Sequence, residues 1–397
     1  MTGAPAPAPA RIATYRLQFT PQFRFRDALA LLPYLRDLGI SHIYASPITQ
    51  ARTGSTHGYD VCDPRAVNPE LGTRDELFAL LRAVRAHGLG WLQDVVPNHL
   101  AVSAQNPYLW DVLAWGRRSR WAFLFDIDWD HPDLGGKLLL PQLGEPYVDS
   151  LRAGKLRLRW RERGPVLVYG GLELPLTGAS VAALLDAAGL APGISQALAE
   201  SDGLIPAEAR ERLRAEALEM AVEPALRAEL ERVLAEVTDP LALDAVIVQQ
   251  AWQLAWWRMG REQVGYRRFF AIDELIAVRM EDPRTFNLMH ALACELVDSG
   301  LVDGLRIDHV DGLIDPTAYL RGLRARLPDA WLVVEKILGR DEELPVQWPI
   351  DGTTGYELLA GMTAACCAPA SAARFGALHR RLTGSHVEPA RLAGDLR

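Results

Sequence analysis

Two stretches of this chain, residues 301–312 (Leu-Val-Asp-Gly-Leu-Arg-Ile-Asp-His-Val-Asp-Gly) and residues 332–336 (Leu-Val-Val-Glu-Lys), each carry a short apolar run that stops at a carboxylate, Asp308 or Glu335. Short continuous apolar runs of this kind fit strands buried on both faces of a parallel sheet. A charged side chain at the C-terminal end of such a strand belongs where the strand opens on to a hollow, and in a (β/α) barrel catalytic groups collect at that end. Two carboxylates on neighbouring strand ends are the minimum for retaining glycoside chemistry. One attacks the anomeric carbon and the other protonates the leaving oxygen.

The rest of the chain supplies more βα units. Residues 11–19 alternate like a strand, and residues 26–38 place Ala28, Leu29, Leu32, Leu35 and Leu38 at helical spacing before Gly39. Ile40 to Ala45 forms a second strand, 73–86 a second helix, and Leu89 to Val96 a third strand. This order predicts a parallel sheet. The alternation then breaks for roughly 160 residues, far beyond an ordinary βα loop. Within the break, 104–132 is aromatic-rich, 133–175 has the pattern of short strands, and 194–236 that of a charged amphipathic helix, with Arg210, Glu211, Arg214, Glu216, Arg227, Glu229 and Glu231 on its solvated face. Regular units resume near 283, with a helix to Ser299, a strand at 302–308, a helix at 316–327 and a strand at 331–336. Gly-Thr-Thr-Gly-Tyr-Glu (352–357) and Ala-rich helical sequence follow.

The expected architecture is α/β: a (β/α)8 TIM-type barrel, incomplete at five or six strands, with a large mostly helical insertion after the third strand. Residues 1–10 are a flexible tail and 11–103 hold strands 1–3. Residues 104–265 are the inserted subdomain, and 266–397 hold strands 4–6, truncated. A closed barrel of this kind has eight strands.

At 397 residues, 49% apolar and 23% charged, the chain has a globular composition. Its net charge of −8 argues against nucleic acid or an anionic membrane as partner and is compatible with a neutral substrate. Cys62, Cys294, Cys366 and Cys367 lack metal-ligand spacing, so no metal and no cofactor is expected and reduced thiols in the cytoplasm are. The first ten residues have neither the basic start nor the apolar core of a signal peptide. No apolar run has the length of a bilayer span.

Asp-Val-Val-Pro-Asn-His (94–99), Gly-Leu-Arg-Ile-Asp-His (304–309) and the strand bearing Glu335, in that order, resemble the α-amylase superfamily. Ala-Thr-Tyr-Arg-Leu-Gln-Phe (13–19), Ser-His-Ile-Tyr-Ala-Ser-Pro-Ile (41–48) running on to His57-Gly58-Tyr59-Asp60, Tyr-Arg-Arg-Phe-Phe (266–270) and Val-Glu-Lys-Ile-Leu (334–338) are similar to the maltooligosyl trehalose synthase family. The resemblance covers roughly 11–125 and 255–360. It implies a malto-oligosaccharide substrate whose reducing-end α-1,4 linkage becomes α,α-1,1 by a retaining double displacement. Asp308 is then the nucleophile and Glu335 the general acid/base. Arg306, on the same strand face as Asp308 by period two, holds that carboxylate ionised, and Asp94 fixes Arg306. Asp94 and Arg306 fit a purely structural ion pair equally well.

Glu335, protonated at the start, is expected in the drier surroundings. The resemblance makes Asn98 and His99 donors to sugar hydroxyls and Tyr59 a stacking platform flanked by His57 and Asp60. It turns His309 and Asp311 toward the leaving glucose. The tryptophans of the insertion fit core positions better than sugar platforms. An α-glucan hydrolase and a catalytically inert chain with a sugar-binding face remain as alternatives. The superfamily's third carboxylate has no clear match: Asp341, Asp351 and Asp395 are the candidates after Glu335, and Glu357 stands where the family tends to carry Asp. The expectation is therefore the N-terminal part of a longer enzyme, with the missing C-terminal portion as its partner.

Overall fold

Six parallel strands lie side by side in the order in which they occur along the chain: β1 (Thr14–Leu17), β2 (His42–Ala45), β3 (Gly90–Val95), β4 (Gly304–Ile307), β5 (Trp331–Val334) and β6 (Gly352–Thr353). The structure is a computed structural model that describes residues 9–187, 189, 209, 212, 215, 219, 223–261, 263–339, 341–387 and 391. Sequential order with every pair parallel is the barrel pattern; a doubly wound sheet reverses its order partway. The sheet is an incomplete (β/α)8 barrel, open between β1 and β6. β3 and β4 are buried throughout, with Leu92, Val95, Leu305 and Ile307 as their apolar positions and Gln93, Asp94 and Arg306 as buried polar ones.

The helices follow from their caps and apolar stripes. Helix α1 (Arg74–Ala86) starts in a capping box in which Thr73 Oγ1 accepts from Glu76 N at 3.2 Å and Thr73 N donates to Glu76 Oε2 at 2.7 Å. It buries Leu77, Leu80, Leu81 and Val84, one stripe of a 3.6-residue period, in the core. Helix α2 (Pro283–Asp298) is capped by Asp282, and α3 (Pro316–Arg326) by Asp315. The helix expected over 26–38 is two, Phe25–Leu29 and Leu32–Asp37. Pro33 is the reason: its ring collides with the carbonyl four residues back, so the helix restarts with Pro33 in its first turn.

The insertion leaves the barrel after β3 through His99–Ala101 and returns through Ile272–Ala277, and these two segments pair antiparallel. Among the described residues it holds more helix than strand. Leu156–Arg161, Gly164–Tyr169 and Leu172–Pro175 form an antiparallel sheet, and Leu138–Leu143 pairs with Trp252–Trp256. Helices run over Pro107–Trp115, Gly178–Ala187, Pro224–Glu236 and Pro240–Ile247. Trp110, Trp115 and Trp252 are buried in its core. Arg227 meets Glu231 at 3.0 Å on the solvated helix face. Arg210, Glu211, Arg214, Glu216 and residues 1–8 lie outside the described residues. Among those described, no single helix is long and apolar enough to cross a membrane.

At the N-terminal end of the sheet, Arg85 of α1 donates to Asp303 Oδ1 at 2.7 Å, and Asp303 Oδ2 accepts from Trp91 N at 2.7 Å. Both charged side chains are buried, and the pair ties the units before the insertion to those after it. Arg85→Met strands a buried aspartate and is expected to destabilise the fold by about 3–5 kcal/mol. Urea denaturation checks this, and an unchanged midpoint would show the pair to be dispensable.

Candidate active site

Pairing in the sheet decides which polar side chains meet. Arg306 on β4 lies opposite Asp94 on β3 and opposite Val333 on β5. Leu305 and Ile307 face the other side of the sheet, so Arg306 and Asp308 share the remaining face. The ladder continues past the strands: Asp308 N donates to Val95 O at 2.9 Å, and Glu335 N to Ile307 O at 2.8 Å. Three carboxylates from three successive strand ends therefore converge on one guanidinium. Arg306 Nη1 donates to Asp94 Oδ1 at 2.8 Å and to Asp308 Oδ1 at 2.6 Å, and Nη2 lies 3.1 Å from Glu335 Oε1.

Asp94 is fully enclosed and carries the most donors. Its Oδ2 accepts from the Tyr59 hydroxyl at 2.6 Å, the Tyr44 hydroxyl at 3.0 Å and Arg16 Nη1 at 3.2 Å. Arg16 stacks over the Tyr44 ring at 4.6 Å and also donates to the Tyr59 hydroxyl. Asp94 is thus the most firmly anchored carboxylate of the cluster. Glu335 Oε2 accepts from the backbone N–H of His309 at 2.9 Å. His309 takes a left-handed conformation, φ 42°, which is strained for a residue with a Cβ. That turn is what aims its N–H at Glu335.

The order of burial is the reverse of the one expected. The drier of the two is Asp308, whose side chain is 8% exposed against 22% for Glu335. Burial, reinforced by the charge of Asp94, pushes the Asp308 carboxyl up to about 7 against the pull of Arg306. Burial among neighbouring carboxylates thus favours the protonated form of Asp308 even beside Arg306.

A hollow of about 1010 Å³ opens above the pair, and Tyr59, His57, His99, His309, Asp311, Arg306, Asp308 and Glu335 line it. The His57 and Tyr59 rings stack at 6.0 Å. His99 is buried, and its Nε2 faces the Tyr59 carbonyl at 3.1 Å, so its N–H is directed inward. Burial pushes its imidazole down to about 4, which leaves it neutral, with Nδ1 as a free acceptor and not a donor. Asp311 sits at the rim, 3.1 Å from Lys336 Nζ.

Two expected contacts lie elsewhere. Asn98 is buried away from the hollow, and its Oδ1 accepts from Arg267 Nη1 at 2.9 Å. Arg267 also bonds the Gly312 carbonyl at 2.6 Å and Asp126 Oδ2 at 2.8 Å, so Asn98 serves in anchoring the insertion to the loop after β4. Asp60 is engaged by the Ser55 hydroxyl behind the Tyr59 loop.

Of the candidates for a third carboxylate, Asp351 lies at the opposite end of the sheet. It accepts from Leu332 N at 2.9 Å and pairs with Arg324 at 2.9 Å and Arg11 at 3.1 Å. Asp341 is exposed, and Asp395 lies outside the described residues. Among those described, no group of His, Cys, Asp and Glu is placed to hold a metal ion.

Sequence reasoning assigned no role to Arg16, Tyr44, Phe269 or Phe270, all of which line the hollow. A charged residue in the alternating run 11–19 was the available sign for Arg16. Because the folded-state pKa of Asp308 is raised, its contribution to stability is fully present below the unfolded value near 3.9 and is lost as pH rises through about 7. Asp308→Asn removes that loss. It is expected to raise Tm near pH 8 by roughly 2–4 °C over the parent, with the gap closing toward pH 4. Thermal denaturation across pH checks it, and a pH-independent gap would contradict it.

Residues 29–122 match the alpha-amylase catalytic domain family. A putative maltooligosyl trehalose synthase of Mycobacterium tuberculosis is 40% identical over 357 residues, 88% of this chain and 37% of that protein. The solved maltooligosyltrehalose synthase of Arthrobacter ramosus superposes with a TM-score of 0.73 at 35% identity, over 97% of this chain and 42% of that one. A solved glycosyltrehalose synthase, DSM5389, superposes with a TM-score of 0.74 at 32% identity, over 95% and 44%. The chain thus spans less than half the length of each relative.

Proposed function

The chain belongs to the maltooligosyl trehalose synthase family of the α-amylase superfamily, and on that premise we propose that its hollow isomerises the reducing end of a malto-oligosaccharide. Asp308 attacks the anomeric carbon of the residue next to the reducing end. The C1–O4 bond breaks, Glu335 delivers its proton to the departing O4, and a glycosyl ester forms on Asp308. The freed glucose stays in the hollow and returns its anomeric hydroxyl to the ester carbon, giving its proton to Glu335. The bond to Asp308 breaks. Two inversions give net retention, and the product is an isomer with a terminal α,α-1,1 linkage.

The observation that carries this reading is the placement of Asp308 and Glu335 on the two arms of one buried guanidinium, facing a single hollow. Such sharing keeps the carboxyl groups close, as a retaining pair requires (about 5–5.5 Å). Transfer to sugar and not to water requires an enclosed acceptor at high effective concentration. The insertion's return segment, which brings Phe269, Phe270, Ile272 and Leu275 to the hollow, supports that enclosure.

A second reading rests on the open sheet. Helices α4 (Tyr356–Ala365) and α5 (Ala372–Thr383) bury none of their residues, and Leu358, Leu359, Met362, Phe375 and Leu382 are exposed on them. On this reading the chain holds the hollow but turns over slowly until a further barrel segment covers that side. The four free thiols support a cytosolic setting for either reading.

Incubation with maltoheptaose separates the possibilities. A non-reducing product of unchanged mass, formed slowly, is expected. Shorter reducing sugars identify a hydrolase, and saturable binding without any product identifies an inert sugar-binding face. Where turnover is measured, kcat/KM is expected to fall as pH rises through about 7, because the coupled carboxyl pair then loses the one proton that the first displacement delivers to O4. A rate that climbs steadily over that range would contradict the assignment. Glu335→Gln is expected to lower kcat by about 10²–10⁴-fold with natural leaving groups.

A further inference from the structure

Among the described residues, two non-glycine residues have a positive φ, His309 at 42° and Phe270 at 53°, and their rings are in contact at 4.6 Å between centroids. Phe270 stands at the tip of the hairpin formed by Arg268–Phe269 and Ile272–Ala277. A left-handed turn is easiest for glycine, and a phenylalanine held there is strained. Burial does not offset that strain, because Phe270 is 67% exposed. Its ring neighbours are Phe269, at 4.6 Å and nearly perpendicular, and His309. Phe269 in turn covers the ring of His99 at 3.9 Å. An exposed, strained aromatic ring over the residue that follows the nucleophile fits a ligand better than it fits a core. Arg268, paired with Asp273, braces the base of the hairpin.

We propose that Phe270 is a specificity-determining platform on which the glucose ring beside the scissile bond stacks its apolar C–H face, with His309 behind it. The inference rests on the oligosaccharide reading above and adds a contact that the carboxylate cluster does not supply. The strain at residue 270 holds the ring out over the hollow, where a relaxed backbone would let it fold back on the hairpin.

Calorimetric titration of maltoheptaose into the full chain tests the proposal. Phe270→Ala is expected to weaken binding about tenfold, and Phe270→Trp to retain it. Phe270→Gly relaxes the backbone, so it is expected to weaken binding as much while leaving Tm unchanged or raised. A merely structural phenylalanine would lower Tm in the glycine variant and leave affinity alone. Parent-like affinity in the alanine and glycine variants would overturn the platform while leaving the oligosaccharide reading intact. No maltoheptaose binding by the parent chain, or by Asp308→Asn, would overturn the reading and the platform together.

Discussion

One guanidinium organises this molecule's chemistry. Arg306 is the meeting point of Asp94, Asp308 and Glu335, which reach it from three successive strand ends. Burying such a group is expensive, and a well-packed apolar cluster of the same volume would serve stability at least as well. What the cluster achieves is a difference between its members. Asp94 is enclosed by two tyrosine hydroxyls and two arginines, the most donors of the three. Asp308, nearly as dry but with fewer donors, is left poised near neutrality. Glu335, the wettest of the three, keeps contact with the hollow. Burial alone would favour the proton on Asp308, so the assignment of nucleophile and acid rests on the family resemblance and on the shared hollow, not on the order of burial.

The insertion is coupled to that cluster by a second arginine. Arg267 reaches Asn98 after β3, the Gly312 carbonyl after β4 and Asp126 within the insertion. The hairpin that begins at the next residue carries Phe269 and Phe270 over His99 and His309. The roof and the loop after β4 are therefore parts of one bonded assembly, joined through Arg267.

The βα units were legible because their signals are local. Apolar periods, the Thr73 capping box and the aspartates before α2 and α3 all act within a few residues. Asp308 and Glu335 were legible because a buried apolar strand tolerates a carboxylate only where it opens on to a polar hollow. What stayed hidden depends on pairing across long stretches of chain. Arg16 and Tyr44 meet because β1 and β2 align them as partners, and they reach Asp94 only because β2 lies beside β3. Asn98 sits in the motif that located it, but a motif gives position along the chain and not direction, and Arg267 turns it inward. His99 was placed correctly at the hollow with the wrong polarity, since the Tyr59 carbonyl sets its tautomer. The Asp308–Glu335 dryness order was reversed because depth in the sheet is not visible in two similar strand ends.

The proposed mechanism turns on Asp308 bonding the sugar while Glu335 donates the proton. An α-maltotriosyl fluoride needs no proton to lose fluoride, so in Glu335→Gln the first displacement proceeds while the second, which needs a base, stalls. Peptide mass mapping of that variant after exposure to the fluoride is expected to find a maltotriosyl adduct on the peptide carrying Asp308. An adduct on another carboxylate, or an unmodified chain at saturating fluoride, would contradict these roles.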